Sequence, residues 1–519
     1  MKRSITISVL GLLVLAGGLS LPHAAAAEPE KSGRWLVTQE EHTGLQVYTR
    51  ELTLHPKAEP VPALKYRMIP DDFDLVDGNA AIFYLKAMGF LEASSARREL
   101  FKFDDRMIER MHQDKKRGRG EVPPYSWLDM EPNEIPLDEV KDYLSLLSFQ
   151  LPFLREARMR RHFEMDRNIR EVDNPMAYLL PDIQSMRELA RMRTLRCKVA
   201  IAEGRVDDAI DIVAQQYTHG WHLGQDEFLV SNLVGIAIAG IGWDDALDLV
   251  QHPDAPNLYW AFASMPRPLV DTRRSMAFER QLLYTQFKVL AEVDETPRPA
   301  GYWHDFIDRL MAQFGGFEEE FGLPWASRHD PETTRAMLVA GIAAAYPGAK
   351  QFLIDECGLA REQVEAYPTA QVVFLAVVRY YDQARDDQFK WTYSPYWHPG
   401  SKTRRGGSEE LMRVDPDRVG WAATPARSLL PAVMAVQTAA ARCEQNVAMM
   451  QTVEAIRMYG EANGGRLPAT LDELPVPAPI DPFTGKPLDY RVHGRRAILT
   501  GHEMPGIRYR LVLQFAAKE

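Results

Sequence analysis

Leu195-Arg196-Cys197-Lys198-Val199-Ala200-Ile201-Ala202-Glu203-Gly204-Arg205-Val206-Asp207-Asp208-Ala209-Ile210 is the stretch that decides the fold. Apolar and small residues recur at helical spacing up to Gly204 and again beyond it. Gly204 supplies a backbone conformation that residues with a Cβ resist. Ala209, five positions on, lets a second helix approach closely. The stretch therefore predicts a helical hairpin whose turn resembles that of a tetratricopeptide unit. Only one such hairpin is evident, not a period of about 34 residues repeated along the chain. The expectation is an irregular helical-hairpin (tetratricopeptide-like) solenoid or bundle.

Working outward, the helical period dominates from 80 to 390. Helices are expected at roughly 80–90, 135–149, 183–203, 206–219, 227–241, 271–293, 303–314, 331–346 and 361–390. Asp77 or Asn79 can cap the first of these. Strand-like alternation is scarce here, and the gaps carry Gly and Pro, as in Pro266-Arg267-Pro268 and Thr296-Pro297-Arg298-Pro299. Further on, Leu429, Val433, Val436, Ala440, Cys443, Val447 and Met450 alternate at spacings of three and four, the seam of a long helix ending near Gly464-Gly465. Residues 488–492, 497–500 and 509–513 alternate as three antiparallel strands, with His493-Gly494 in a tight hairpin.

This gives a division into 1–27, a signal peptide; 28–80, a Pro-rich N-terminal segment with one short strand near 45–49; 81–390, a helical domain; 391–427, an aromatic-rich loop; and 428–519, the long helix with its small sheet. The fold class expected is mainly α with a small C-terminal α+β unit.

The N-terminus reads as an address. Met1-Lys2-Arg3 precedes an apolar stretch from Ile5 to Leu21, and Ala24-Ala25-Ala26-Ala27 stands before Glu28 as a cleavage site. The predicted destination is the periplasm or the exterior, with membrane anchorage if the stretch is not cleaved. No later apolar run approaches the roughly 20 residues of a membrane helix. Removing Lys2 and Arg3 takes the net charge of the 519-residue chain from −11 to −13. So acidic a chain has no general attraction for nucleic acid, and the basic runs at 115–119 and at Arg404-Arg405 read as solvated loops. Cys197, Cys357 and Cys443 are far apart and odd in number, so buried free thiols are expected.

Two resemblances follow from these residues. The tail is similar to the globular part of type II secretion pseudopilins, through Gly465-Arg466-Leu467-Pro468, Leu471 and Leu474, Asp481-Pro482-Phe483 with Gly485 and Pro487, and Tyr490 opening a strand. That resemblance implies a helix packed on a small antiparallel sheet. It extends neither to fibre assembly, because the helix lies deep in the chain and carries Arg442, Glu444 and Glu454, nor to a calcium site, because no matching ligand set can be placed. The mature chain as a whole resembles an exported bacterial helical-repeat-like family of unknown function. It does so through Pro62-Ala63-Leu64-Lys65-Tyr66-Arg67, Gly78-Asn79-Ala80-Ala81, Ile201-Ala202-Glu203-Gly204-Arg205, Asn257-Leu258-Tyr259-Trp260-Ala261 and Phe389-Lys390-Trp391. This second resemblance implies no activity.

Chemistry-bearing motifs are few. His219, His222 and Asp226 have helical spacing for a metal, but Gly220 and Gly224 are expected to end that helix, and a structural role is the reading adopted. His502-Glu503 lacks the second histidine of a zinc-protease motif, with Gly506 in its place. Asp71, Asp72, Asp74 and Asp77 do not have calcium-loop spacing. No cofactor is implied. The binding candidates are Trp391, Tyr393, Tyr396 and Trp397, whose flat faces can stack on sugars or clamp an extended peptide. The same rings can instead plug the helical core, a role that suits Trp391 better than Trp397. The function expected is that of an exported non-catalytic binding or scaffold protein of the cell envelope, with a protein, peptide or glycan ligand. The alternatives are a periplasmic hydrolase with a dispersed site, and a membrane-anchored accessory of a secretion system.

Overall fold

The computed structural model describes residues 30–40, 43–89, 124–168, 171, 180–314, 330–398, 414–503 and 506–517. The signal segment, the basic run at 115–119 and Arg404-Arg405 lie outside the described residues.

The chain is mainly α, with a small mixed sheet. In order, the elements begin β1 (Glu30–Ser32), β2 (Trp35–Gln39), β3 (Gln46–Leu54), β4 (Val76–Asn79), α1 (Ala80–Ala87), α2 (Tyr125–Leu128), α3 (Leu137–Leu146), α4 (Gln150–Arg158) and β5 (Arg160–His162). Then come α5 (Pro181–Ala202), α6 (Val206–Leu223), α7 (Leu229–Leu249), α8 (Tyr259–Ala263), α9 (Arg273–Gln286), α10 (Ala300–Phe314), α11 (Pro331–Asp355), α12 (Arg361–Ala366) and α13 (Thr369–Phe389). α14 (Pro416–Val419), α15 (Thr424–Ala462), β6 (Asp489–His493), β7 (Arg496–Thr500) and β8 (Ile507–Phe515) complete the chain.

The helical hairpin stands where the sequence puts it. α5 stops, Gly204 turns with φ +70°, and α6 starts at Val206. Asn79 caps α1 by accepting from the Ala81 amide at 3.0 Å. Several helix boundaries depart from expectation: α7 runs on to Leu249 and α11 to Asp355, past the ends expected near 241 and 346, and α15 starts at Thr424, inside the expected loop. α6 runs through Gly220 to Leu223, because Gly220 serves helix packing rather than helix ending. The stretch expected as one helix over 361–390 breaks at Tyr367-Pro368, whose extended backbone cannot continue a helix.

The sheet holds the main surprise. β6, β7 and β8 pair antiparallel as expected. But β8 also pairs, parallel and over nine residues, with β3, from Gln46 opposite Ile507 to Leu54 opposite Phe515. The order is β1-β2-β3-β8-β7-β6. The three-stranded antiparallel sheet is thus half of a six-stranded mixed one, and the Pro-rich N-terminal segment supplies the other half. Trp35 of β2, Trp243 of α7 and Tyr509 of β8 pack tilted or edge-on, with ring centroids 5.0–5.4 Å apart, and lock this seam.

α15 was expected to bury one seam. Its second half is instead buried on all sides, from Gln445 to Met458, between the sheet, α7 and α8. A second apolar core joins α9, α10, α11, α13 and the start of α15. α11 corrects another expectation, since by length and composition alone it could cross a membrane. One third of that apolar window is buried here, with Leu338, Ile342, Phe352 and Leu353 in the core. All three cysteines are free; Cys197 and Cys443 are buried, and Cys357 is half-buried.

Candidate functional site

The aromatic segment follows α13 on a 3-10 turn, Lys390–Tyr393. The four rings do not share one environment. Trp391 is half-buried, with the Lys390 ammonium 5.9 Å from its ring. Tyr393 is 79 % exposed. Tyr396 sets its ring edge-on to Phe483 at 4.8 Å, and its hydroxyl lies 3.2 Å from Thr438 Oγ1 on α15. Trp397 is 40 % exposed and lies over Gly485, where a Cβ would stand 2.7 Å from the indole. Two rings therefore dock the segment onto the turn at 481–485, and Tyr393 faces solvent. Tyr396→Ala is expected to cost about 1–3 kcal/mol, below the loss for a fully buried aromatic. Tyr393→Ala should stay within about 0.5 kcal/mol. Thermal melts of the two variants check the order; equal losses would show that the docking contact adds nothing.

The turn under these rings is itself well fixed. Asp481 is buried and accepts from the Phe483 amide, the His502 amide and Gln445 Nε2, each at 2.8 Å. His502 therefore sits in the tail's turn network, away from any zinc-protease arrangement.

The histidine pair on α6 is structural. A carbonyl only accepts, so His222 Nε2 donates to Arg160 O at 2.7 Å, and Nδ1 accepts from the Tyr84 hydroxyl at 3.0 Å. Burial holds the His222 pKa down at about 4, so the ring is neutral. His219 stacks on Tyr84 at 4.0 Å and accepts at Nδ1 from Arg193. Asp226 pairs with Arg167 at 2.7 Å. Among the described residues no group of His, Cys, Asp or Glu is placed to hold a metal.

A second buried polar cluster lies where α5, α6 and α7 meet. Asp245 accepts from Thr194 Oγ1 at 3.1 Å and Gln216 Nε2 at 3.2 Å, while its Oδ1 has no partner. Burial raises its pKa from 3.8 to about 6. Desolvation lowers the Lys198 pKa to about 7, and the Lys198 ammonium donates to Met130 O. Because the folded state holds the Asp245 proton more tightly than the unfolded chain, stability falls as pH rises from about 4 to about 6 and stays low above. Asp245→Asn removes that loss. The variant should gain up to about 3 kcal/mol at pH 8 and little at pH 4, read from denaturant melts at both. A gain equal at the two pH values would contradict the assignment.

No motif in the sequence announces the cleft between the hairpins. α3, α4, α5 and α6 enclose about 380 Å³. Leu144, Leu151, Leu154, Val199 and Ile212 make its apolar wall. Lys141, Arg155, Arg193, Arg196 and Arg205 stand against Glu203, Asp208 and Asp211. Glu203 pairs with Lys141 and Arg205, Asp208 with Arg205, and Asp211 with Arg158 outside the cleft. Arg193 and Arg196 form no ion pair with any described residue. Arg193 Nη1 donates to Gln215 O and its Nη2 to His219 Nδ1, and Arg196 Nη2 donates to Leu144 O and Leu147 O; the Nε of each is buried without an acceptor. Desolvation lowers both pKa values to about 10, which still leaves both cationic at neutral pH. Single-residue reading could not find this site, because nothing around the two arginines in α5 marks them and only the fold withholds their acids.

No family model, curated protein or solved structure matches the chain.

Proposed function

We propose that this is an exported, non-catalytic binding or scaffold protein of the cell envelope, whose ligand is a protein, a peptide or a glycan. The observation that carries the reading is the cleft between α3, α4, α5 and α6, which combines an apolar wall with two arginines that lack an acid. Such a mixed, preformed concavity is what small ligands and chain segments occupy. The α5–α6 hairpin, with Gly204 at its turn and the fully buried Ala209 behind it, supports a tetratricopeptide-like unit in an irregular helical solenoid or bundle. The exposed Tyr393 and Trp397 offer a second contact for a larger partner.

The test is a screen of purified 28–519 against peptide and glycan libraries, run alongside peptide, ester and glycoside substrates. Saturable binding without turnover is the expected result. Turnover abolished by one acid or histidine substitution would instead establish the dispersed-site hydrolase. Fractionation addresses the membrane-anchored alternative: a soluble chain beginning near Glu28 is expected, and an intact N-terminus in the membrane fraction contradicts it.

A further inference from the structure

The geometry points to a carboxylate-binding subsite on the floor of the hairpin cleft. Its ligand is the free C-terminus of a peptide ending in an apolar residue, with the carboxylate at Arg193 and Arg196 and the last side chain on Leu144, Leu154 and Val199. The inference rests on the binding-protein reading and names the ligand that reading leaves open.

Three observations support it. First, Arg193 and Arg196 are three residues apart on α5, so their side chains leave the same face. Arg193 is 2 % exposed, and the Nε groups of both lack acceptors. A buried guanidinium without a counter-charge is costly, and an oxyanion is the partner its planar fork fits. Second, five cations line the cleft against three acids, in a chain whose net charge is −11. The acids are already engaged by Lys141, Arg205 and Arg158, so they do not satisfy the floor. Charge of this sign is local to the cleft and draws an anion to it. Third, the wall beside the arginines is apolar, whereas Ser148 and Gln215 stand alongside it. Gln215 spends its amide nitrogen on Asp211 at 2.8 Å, which leaves its carbonyl oxygen for a peptide N–H. A bare hydrocarbon chain would leave these polar groups idle, while a peptide uses them.

Isothermal titration of the purified protein with N-acetyl-leucyl-leucine and with its C-terminal amide tests the subsite. The free acid should bind at least ten-fold more tightly than the amide, with affinity falling as salt is raised. Arg196→Gln should erase the difference between acid and amide. Arg155→Gln, at an exposed rim position, should weaken the acid two- to three-fold. The acid-to-amide ratio on the unmodified protein needs no variant, so it stands even if Arg196→Gln fails to fold. Equal binding of acid and amide overturns the subsite, as does failure of both to bind. Octanoate binding as tightly as the dipeptide acid overturns the peptide assignment. If library screening finds ligands whose amidation changes nothing, the binding-protein reading survives and this subsite does not; if no ligand of any class is found, both fall.

Discussion

Arg457→Met is expected to destabilise the protein by about 3–5 kcal/mol, because it leaves a carboxylate buried and unpaired. Arg457 and Glu454 are a turn apart on α15, both with wholly buried side chains, and pair at 2.8 Å. The Arg457 guanidinium also donates to the carbonyls of His55 at 2.9 Å, Pro256 at 3.1 Å and Ala255 at 2.6 Å. It therefore fastens the chain after β3 and the turn before α8 to the long helix. Burial raises the Glu454 pKa, and Arg457 holds it back. Without the arginine the folded state binds the Glu454 proton more tightly still. The penalty should then be smallest near the ordinary carboxylate pKa and grow as pH rises through the raised value. Melts at pH 5 and pH 8 should show the larger deficit at pH 8. Arg457→Met with Glu454→Gln should recover part of the loss, the remainder belonging to the three abandoned carbonyls. If the single variant melts with the unmodified protein at pH 8, the pair does not hold these segments together.

Glu454 also shows why part of this architecture was hidden in the sequence. Periodicity found helices such as α3 and α10 because a half-buried helix writes its apolar face at spacings of three and four, as Val140, Tyr143 and Leu144 and then Trp303, Phe306, Ile307 and Leu310 do. It placed the seam of α15 at Cys443, Val447 and Met450, yet Gln445 and Asn446 between them, and Gln451, Thr452, Glu454 and Arg457 beyond, are buried as well. Some of their polar atoms find partners on distant chain: Gln445 Nε2 donates to Asp481, and Gln451 Oε1 accepts from Arg267, each at 2.8 Å. No local pattern records such partners. The parallel pairing of β3 with β8 was hidden for the same reason. Each strand announces itself by alternation, but nothing in either names a partner at the opposite end of the chain. The aromatic segment was visible by composition, and its docking on Phe483 and Gly485 was not. The cleft arginines were the least legible, since what marks them is the absence of an acid in space rather than a residue in the sequence.

Gly235→Val is the other change expected to have a large effect, and it is aimed at the contact that shapes the cleft from behind. α6 and α7 meet at Gly220 and Gly235. A Cβ on Gly235 would lie 2.9 Å from both the Gly220 carbonyl oxygen and Leu223 Cβ, and one on Gly220 would lie 2.8 Å from the Gly235 carbonyl oxygen. Backbone on one side and a packed leucine on the other cannot yield without moving a helix. A single inserted methyl group in a packed core costs about 1–3 kcal/mol, and a β-branched side chain against backbone should reach or exceed the upper end. Gly240 is the control on the same helix, because its Cβ would meet nothing within 4 Å. Gly240→Ala should stabilise by about 0.5–1 kcal/mol through helix propensity alone. Opposite signs at two glycines five residues apart separate close approach from propensity. Because α6 carries Ile212 and Gln215 into the cleft, displacing it from α7 should weaken binding of N-acetyl-leucyl-leucine in Gly235→Ala, the milder variant, even where that variant remains folded. If Gly235→Val and Gly240→Ala shift the melting temperature in the same direction, the close crossing of α6 and α7 is not what fixes this part of the fold.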